Sequence, residues 1–147
     1  MLCEKPITIT SEEFSKLFFL AEENNVRYFE AIMYMHTHNR YTLKQMLNQI
    51  GNISSAHFDY SQLSSKYEAL LAGELPNIFN PKMKTGALND LGIYCVYPVL
   101  DLFREPKSVT AQQHFLFTGA DGAGAAILKK EDKLVTVTYS KTAESRS

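Results

Sequence analysis

The sequence predicts an α+β domain with an open, predominantly antiparallel sheet and helices packed on one face of it. Apolar residues recur at helical spacing through the first two thirds of the chain, whereas strict alternation takes over beyond Lys107. The last strands follow one another through short turns, which is the α+β order. The 147 residues suit one domain. A hydrophobic fraction of 45% and a charged fraction of 21% are ordinary for a globular chain. A net charge of −1 argues against general binding to nucleic acid or an anionic membrane. No apolar run approaches the roughly 18 residues of a membrane span. Cys3 and Cys95 lie far apart and the N-terminus has no apolar signal core, so reduced thiols in the cytoplasm are expected.

Thr10 can cap a helix whose Glu13 reaches back, and Phe14, Leu17, Phe18 and Ala21 form its apolar stripe until Asn24-Asn25. Val26 to Met33 is short and apolar enough for a buried strand. Leu43, Met46, Leu47 and Ile50 mark a second helix closed by Gly51. Ile53 to Tyr60 reads as a strand with Ala56, Phe58 and Tyr60 on one face. A short helix over Ser64 to Ala72 stops at Gly73, and Pro76, Asn77, Asn80 and Pro81 make a long polar loop. Gly86 opens the strongest helix, with Leu88, Leu91, Cys95, Val99 and Leu102 as its stripe, a kink expected at Pro98 and an end at Pro106.

Lys107 to Thr118 is a long strand, Gly119 to Gly122 a turn, and Ala123 to Lys129 and Lys133 to Tyr139 a hairpin through Glu131-Asp132. The strand ending at Tyr139 is expected at an unprotected edge, and Ser140 to Ser147 as a frayed polar tail. Phe18, Phe19, Phe29, Tyr34, Phe58 and Tyr60 are expected in the core, with a subunit interface as the alternative.

Asp90 and Tyr94 are four residues apart, which puts both on one face of the strongest helix. A carboxylate and a phenol can share acid–base work when a cation stands beside the phenol, and Lys5 is the candidate if the fold brings it there. His36 and His38 would share a face in a strand, but no Cys, Asp or Glu stands close by in sequence to complete a metal set, so no metal is expected. Gly122-Ala123-Gly124 lacks the third glycine of a dinucleotide fingerprint and lies between strands. Asn52-Ile53-Ser54 fits a glycosylation pattern by chance.

Four segments carry a resemblance when taken in order: Leu2-Cys3-Glu4-Lys5-Pro6, Glu30-Ala31-Ile32-Met33-Tyr34, Asn52-Ile53 and Gly86-Ala87-Leu88-Asn89-Asp90-Leu91-Gly92-Ile93-Tyr94. Together they resemble the glucose–fructose oxidoreductase/inositol dehydrogenase (Gfo/Idh/MocA) family. The tyrosine of Gly-Ile-Tyr is similar to the glucose–fructose oxidoreductase and dihydrodiol dehydrogenase branch. Met35 stands where many members carry arginine, and His36 to Asn39 departs from the common His-Pro pattern.

The resemblance implies that residues 1–147 are a single C-terminal domain of the dihydrodipicolinate-reductase-like kind, cut at both ends. The Rossmann half would then be absent, with residues 1–6 left from the junction. It implies NAD or NADP as the parent enzyme's cofactor, with Glu4, Lys5 and Pro6 beside it, and no tight binding by this chain alone. It further implies a Lys5-Pro6 bond that is often cis, Lys5 next to the substrate hydroxyl, Tyr94 as general acid/base and Asp90 orienting a small-molecule substrate. Lys66, Tyr67 and Asn77 would supply the substrate loop, and the open sheet face a homodimer or larger assembly. The alternatives are a stand-alone, non-enzymatic module that self-associates or binds a partner, and a small enzyme using Lys5, Asp90 and Tyr94 without nicotinamide.

Overall fold

The computed structural model describes residues 1–143. The helices lie in the first 103 residues, and the last three strands of a four-stranded sheet follow them. The first helix, α1 (Ser11–Glu23), starts on a capping box. Thr10 Oγ1 accepts the Glu13 N–H at 3.2 Å while the Glu13 carboxylate accepts the Thr10 N–H, so two orphan donors are satisfied together. α2 (His38–Leu47) ends ahead of Gly51, whose φ is +78°. α3 (Tyr67–Leu71) is a short helix ahead of Gly73, whose φ is +92°. The polar loop contains two 3₁₀ turns, Asn77–Phe79 and Pro81–Met83. The strongest helix begins with a π turn over Leu88–Gly92 and continues as α4 (Ile93–Phe103), which carries the buried Pro98 within it.

Two sheets form. β1 (Leu2–Cys3) and β2 (Phe29–Glu30) make a small parallel pair. The main sheet has the order β3 (Ser55–Ser61), β6 (Lys133–Ser140), β5 (Asp121–Lys130), β4 (Ser108–Phe115). β4–β5 and β5–β6 are antiparallel, while β3 lies parallel to β6 with Ala56 opposite Val135 and Phe58 opposite Val137. The hairpin through Glu131-Asp132 is as the sequence predicts.

The core lies between the strongest helix and one face of this sheet. Leu91, Cys95, Val99 and Phe103 meet Leu128, Val135, Val137 and Tyr139, with Ala56 and Phe58 packed alongside. Gly92 permits the close approach, because a Cβ there would sit 2.9 Å from the Tyr139 ring.

Several expectations are corrected. β6 is an interior strand, since the non-local parallel pairing with β3 covers the side that a hairpin leaves open. Its ladder continues past Tyr139, so Ser140 and Lys141 are buried; only residues 144–147 of the expected tail lie outside the described residues. The buried strand over Val26 to Met33 shrinks to Phe29–Glu30, followed by a 3₁₀ turn over Met33–His36. With α1 burying no residue, Phe18, Phe19 and Phe29 are substantially exposed, as is Tyr60, and only Phe58 of the six aromatics joins the core cluster. His36 ends a 3₁₀ turn and His38 opens α2, so no strand face unites them.

A carboxylate fastens α2 to α4. Asp101 accepts from Arg40 Nε at 2.8 Å and Nη2 at 2.6 Å, from Lys44 Nζ at 2.7 Å and from the Tyr34 phenol at 3.1 Å. The Arg40 hydrogen bonds, joined by those of Lys44 and Tyr34, hold the Asp101 carboxyl far below the usual carboxylate range despite partial burial. Burial, with Asp101 beside it, pushes the Tyr34 phenol up to about 12, so it remains a donor at neutral pH. A depressed carboxyl contributes stability that is complete above its ordinary pKa of about 4 and is lost as pH falls through the folded value. Asp101→Asn should therefore lower the melting temperature by roughly 5 °C at pH 7. The gap between wild type and variant should narrow below about pH 4 in thermal melts across pH.

Candidate functional site

The N-terminal segment is tied down before it reaches the site. The Phe29 N–H donates to the Met1 carbonyl at 2.9 Å, and the Ala31 N–H to the Cys3 carbonyl at 2.7 Å. Glu30 Oε1 accepts the Ile7 N–H at 2.8 Å, which pins the chain just beyond the cis Lys5-Pro6 bond. Glu4 is exposed, while Lys5 turns inward toward the start of the strongest helix.

There Lys5 Nζ donates to the Asp90 carbonyl at 2.6 Å and to Asp90 Oδ1 at 2.8 Å. The same ammonium stands 4.7 Å from the centroid of the Tyr94 ring, in cation–π range. Tyr94 also packs on Tyr60, with ring centroids 5.5 Å apart. Lys5, Asp90 and Tyr94, which the sequence proposes as a set, do converge. Asp90 lies in the π turn, a local widening that recurs at functional sites.

A fourth member is Lys141, whose Nζ donates to Asp90 Oδ2. Half-burial raises the Asp90 carboxyl, but the hydrogen bonds from Lys141 and Lys5 outweigh it and hold the group below its ordinary value. The sequence reading missed Lys141 by assigning it to a polar tail. Its signal was parity: it stands two residues beyond Tyr139, in phase with the buried Val135 and Val137.

Asp121 is a second residue the reading missed. From the start of β5 its Oδ2 accepts the Leu88 N–H at 2.7 Å, capping the turn that carries Asp90. Gly86 makes room for this, since a Cβ there would meet Asp121 Oδ1 at 1.7 Å. The glycines at 86 and 92 thus serve packing on the two sides of Asp90.

A cleft of about 240 Å³ opens beside these groups, lined in part by Lys5, Pro6, Ile78, Lys84, Asn89 and Asp90. Ile78 also borders a second cleft of about 530 Å³, which Lys66 and Asn77 line. Tyr67 is not among the residues lining that cleft; its ring packs on the buried Phe79 at 6.1 Å. Among the described residues no group of three or more His, Cys, Asp or Glu is arranged to hold a metal. No helix among them is long and apolar enough to cross a membrane.

The family model described as the GFO/IDH/MocA C-terminal domain matches residues 41–147. The chain belongs to the GFO/IDH/MocA family. It is 37% identical over 145 residues to the uncharacterized oxidoreductase YgjR of Escherichia coli K12. It is 35% identical, also over 145 residues, to the scyllo-inositol 2-dehydrogenase (NADP(+)) IolU of Bacillus subtilis. In both cases 99% of this chain matches 44% of the relative, so the chain spans less than half the length of these relatives. The fold is that of the corresponding part of an NAD-binding protein from Listeria innocua, with a TM-score of 0.80 at 19% identity, covering 99% of this chain and 42% of that one. An oxidoreductase from Bacillus cereus is similar over 100% of this chain and 48% of its own, with a TM-score of 0.76 at 18% identity.

The GFO/IDH/MocA chain offers a direct test of the contact between Gly86 and Asp121. Asp121→Ala should cost about 1 kcal/mol through the lost cap. Gly86→Ala should cost more on its own, because its Cβ collides with the carboxylate. The double variant should be less destabilised than the sum of the two in denaturant titrations, since removing the carboxylate removes the collision.

Proposed function

We propose that this chain is the substrate-binding and proton-handling part of an NAD(P)-dependent oxidoreductase acting on a CH–OH carbon of a sugar, polyol or related alcohol. The observation that carries this reading is that Lys5 links Asp90 to the Tyr94 ring beside a cleft that Lys5 and Asp90 line. The relative named as an NADP-dependent scyllo-inositol dehydrogenase supports a polyol as the substrate class.

The chain fits the reacting end of a nicotinamide dinucleotide and no more. Lys5 and Pro6 form a rim at the small cleft. Gly122 and Gly124 cannot serve as a phosphate loop: they lie within β5, Gly122 against Leu116 and Gly124 against the Tyr139 hydroxyl. When bound, the nicotinamide supplies hydride exchange with the substrate carbon. The residues of this chain handle the proton: Tyr94, acting as its phenolate, takes it from the substrate hydroxyl and becomes the phenol, and as the phenol it returns the proton in the reverse direction. Asp90 and Lys5 fix the hydroxyl against that oxygen. Lys66 and Asn77 extend recognition into the neighbouring cleft, with Tyr67 supporting it through Phe79.

The cofactor-bearing half would seat on α1 and the β1–β2 pair. A cleft of about 590 Å³ lies there, lined in part by Phe14, Phe18, Val26, Tyr28 and Phe29. The two cysteines are free thiols, which fits a reducing compartment such as the cytoplasm.

Joined behind the cofactor-binding half of the scyllo-inositol relative, the chain should reduce NADP⁺ with a cyclic polyol. Tyr94→Phe should slow turnover about a hundredfold or more. An unchanged rate in that variant would refute the role of Tyr94. By calorimetry the 147-residue chain alone should bind NADH more weakly than about 10 μM, whereas tight binding would place the cofactor site within it.

Self-association through the open sheet face belongs to the same proposal. That face carries His57, Thr110, Gln112, Ala125, Thr136 and Thr138 together with the exposed Ile127 and Leu134. Light scattering coupled to size exclusion should give a dimer mass at high concentration. A bulky charge, Ala125→Arg, should return the chain to a monomer.

A further inference from the structure

Lys141 is only 5% exposed, and among the described residues no other charged residue is buried as deeply. An ammonium at that depth persists only where a partner compensates for lost water, and the partner here is Asp90 Oδ2. Its backbone is locked on both sides: the Lys141 N–H donates to the Gly122 carbonyl at 2.8 Å, and its carbonyl accepts the Ser64 N–H at 2.9 Å. The side chain therefore springs from a fixed point on the sheet.

Asp90 divides its carboxylate between two cations. Oδ2 takes Lys141 and Oδ1 takes Lys5. A carboxylate is a rigid plane, so fixing one oxygen fixes the other. Lys5, held by Oδ1 together with the Asp90 carbonyl, stands 4.7 Å from the Tyr94 ring centroid.

We propose that Lys141 is a positioning residue of the site: it anchors Asp90 from the sheet so that Lys5 is held over Tyr94. This rests on reading Asp90 and Tyr94 as the groups that handle substrate and proton. The charged groups facing Asp90 are Lys5 from the segment after β1 and Lys141 from the end of β6, while Tyr94 of α4 faces Lys5. Lys84 lines the same cleft but pairs with Glu13. Two ammonium groups and one carboxylate leave one net positive charge, which favours negative charge developing in the cleft. Lys141 thereby acts on the reaction without touching the substrate.

The test is a pH titration of the 147-residue chain by NMR, following the Asp90 carboxyl carbon and the ammonium nitrogens of Lys5 and Lys141. In the wild type, all three signals should move together at a midpoint below the ordinary carboxylate value of about 4. Lys141→Met should raise the proton affinity of Asp90 about tenfold or more, since one contacting cation is gone. It should also shift the Lys5 ammonium signal as that group leaves the Tyr94 ring. Lys141→Arg should restore most of both. A folded Lys141→Met that melts lower but keeps the wild-type Asp90 midpoint and Lys5 signal would overturn the proposal. Should that variant fail to fold, the wild type decides: a Lys141 ammonium that ignores the Asp90 titration overturns it equally. None of these readouts needs turnover. A chimera without dehydrogenase activity would therefore sink the oxidoreductase reading and leave the anchor standing.

Discussion

The carboxylate of Asp90 is the point on which the site's geometry depends. It gathers three remote parts of the chain: Lys5 from 85 residues before it, Lys141 from 51 residues after it, and its own helix. Neither lysine could stay so far from water without it, and the half-buried carboxylate would not stay ionised as readily without them. The backbone takes part as well. A regular α-helix commits each carbonyl to the N–H four residues on. The wider turn at Leu88–Gly92 coincides with an Asp90 carbonyl that accepts the Lys5 ammonium. That turn is held in turn by Asp121 at its start and by the close packing of Gly92 on Tyr139.

What was legible in the sequence was local. Thr10 and Glu13 announce a helix start because both partners of the capping box lie within four residues. The alternation beyond Lys107 announces strands because one face must pack and the other need not. The spacing of Asp90 and Tyr94 put them on one face, and Lys5 was named as the cation for them, but no local rule could place it beside them. What was misread depended on distant partners. The apolar run from Val26 and the aromatics of α1 look like core by composition, but periodicity does not say what an apolar face is covered by. The interior position of β6 follows from its parallel pairing with β3, a contact across some 80 residues that no turn signals. Lys141 was lost for the same reason, since only a strand continuing past Tyr139 gives its parity meaning.

The first forty residues behave differently from the rest. A parallel pair of two-residue strands is too small to stand alone, and parallel sheets are normally covered on both faces. α1 buries no residue and leaves Phe14, Phe18, Phe19 and Leu20 exposed. The family model begins its match at residue 41, beyond these elements.

This division explains where the charged bridges lie. The strongest helix carries two carboxylates that reach back across the same seam. Asp90 near its start takes Lys5, and Asp101 near its end takes Tyr34 and Arg40. Between them they tie the N-terminal segment to the helix at two points, one near each end. Glu30 completes the arrangement by holding Ile7, which fixes the exit from Lys5-Pro6. The cleft beside Lys5 and Asp90 lies at this seam. Lys5 comes from one side and Tyr94 from the other, and a displacement of an ångström between them would part the ammonium from the ring it faces.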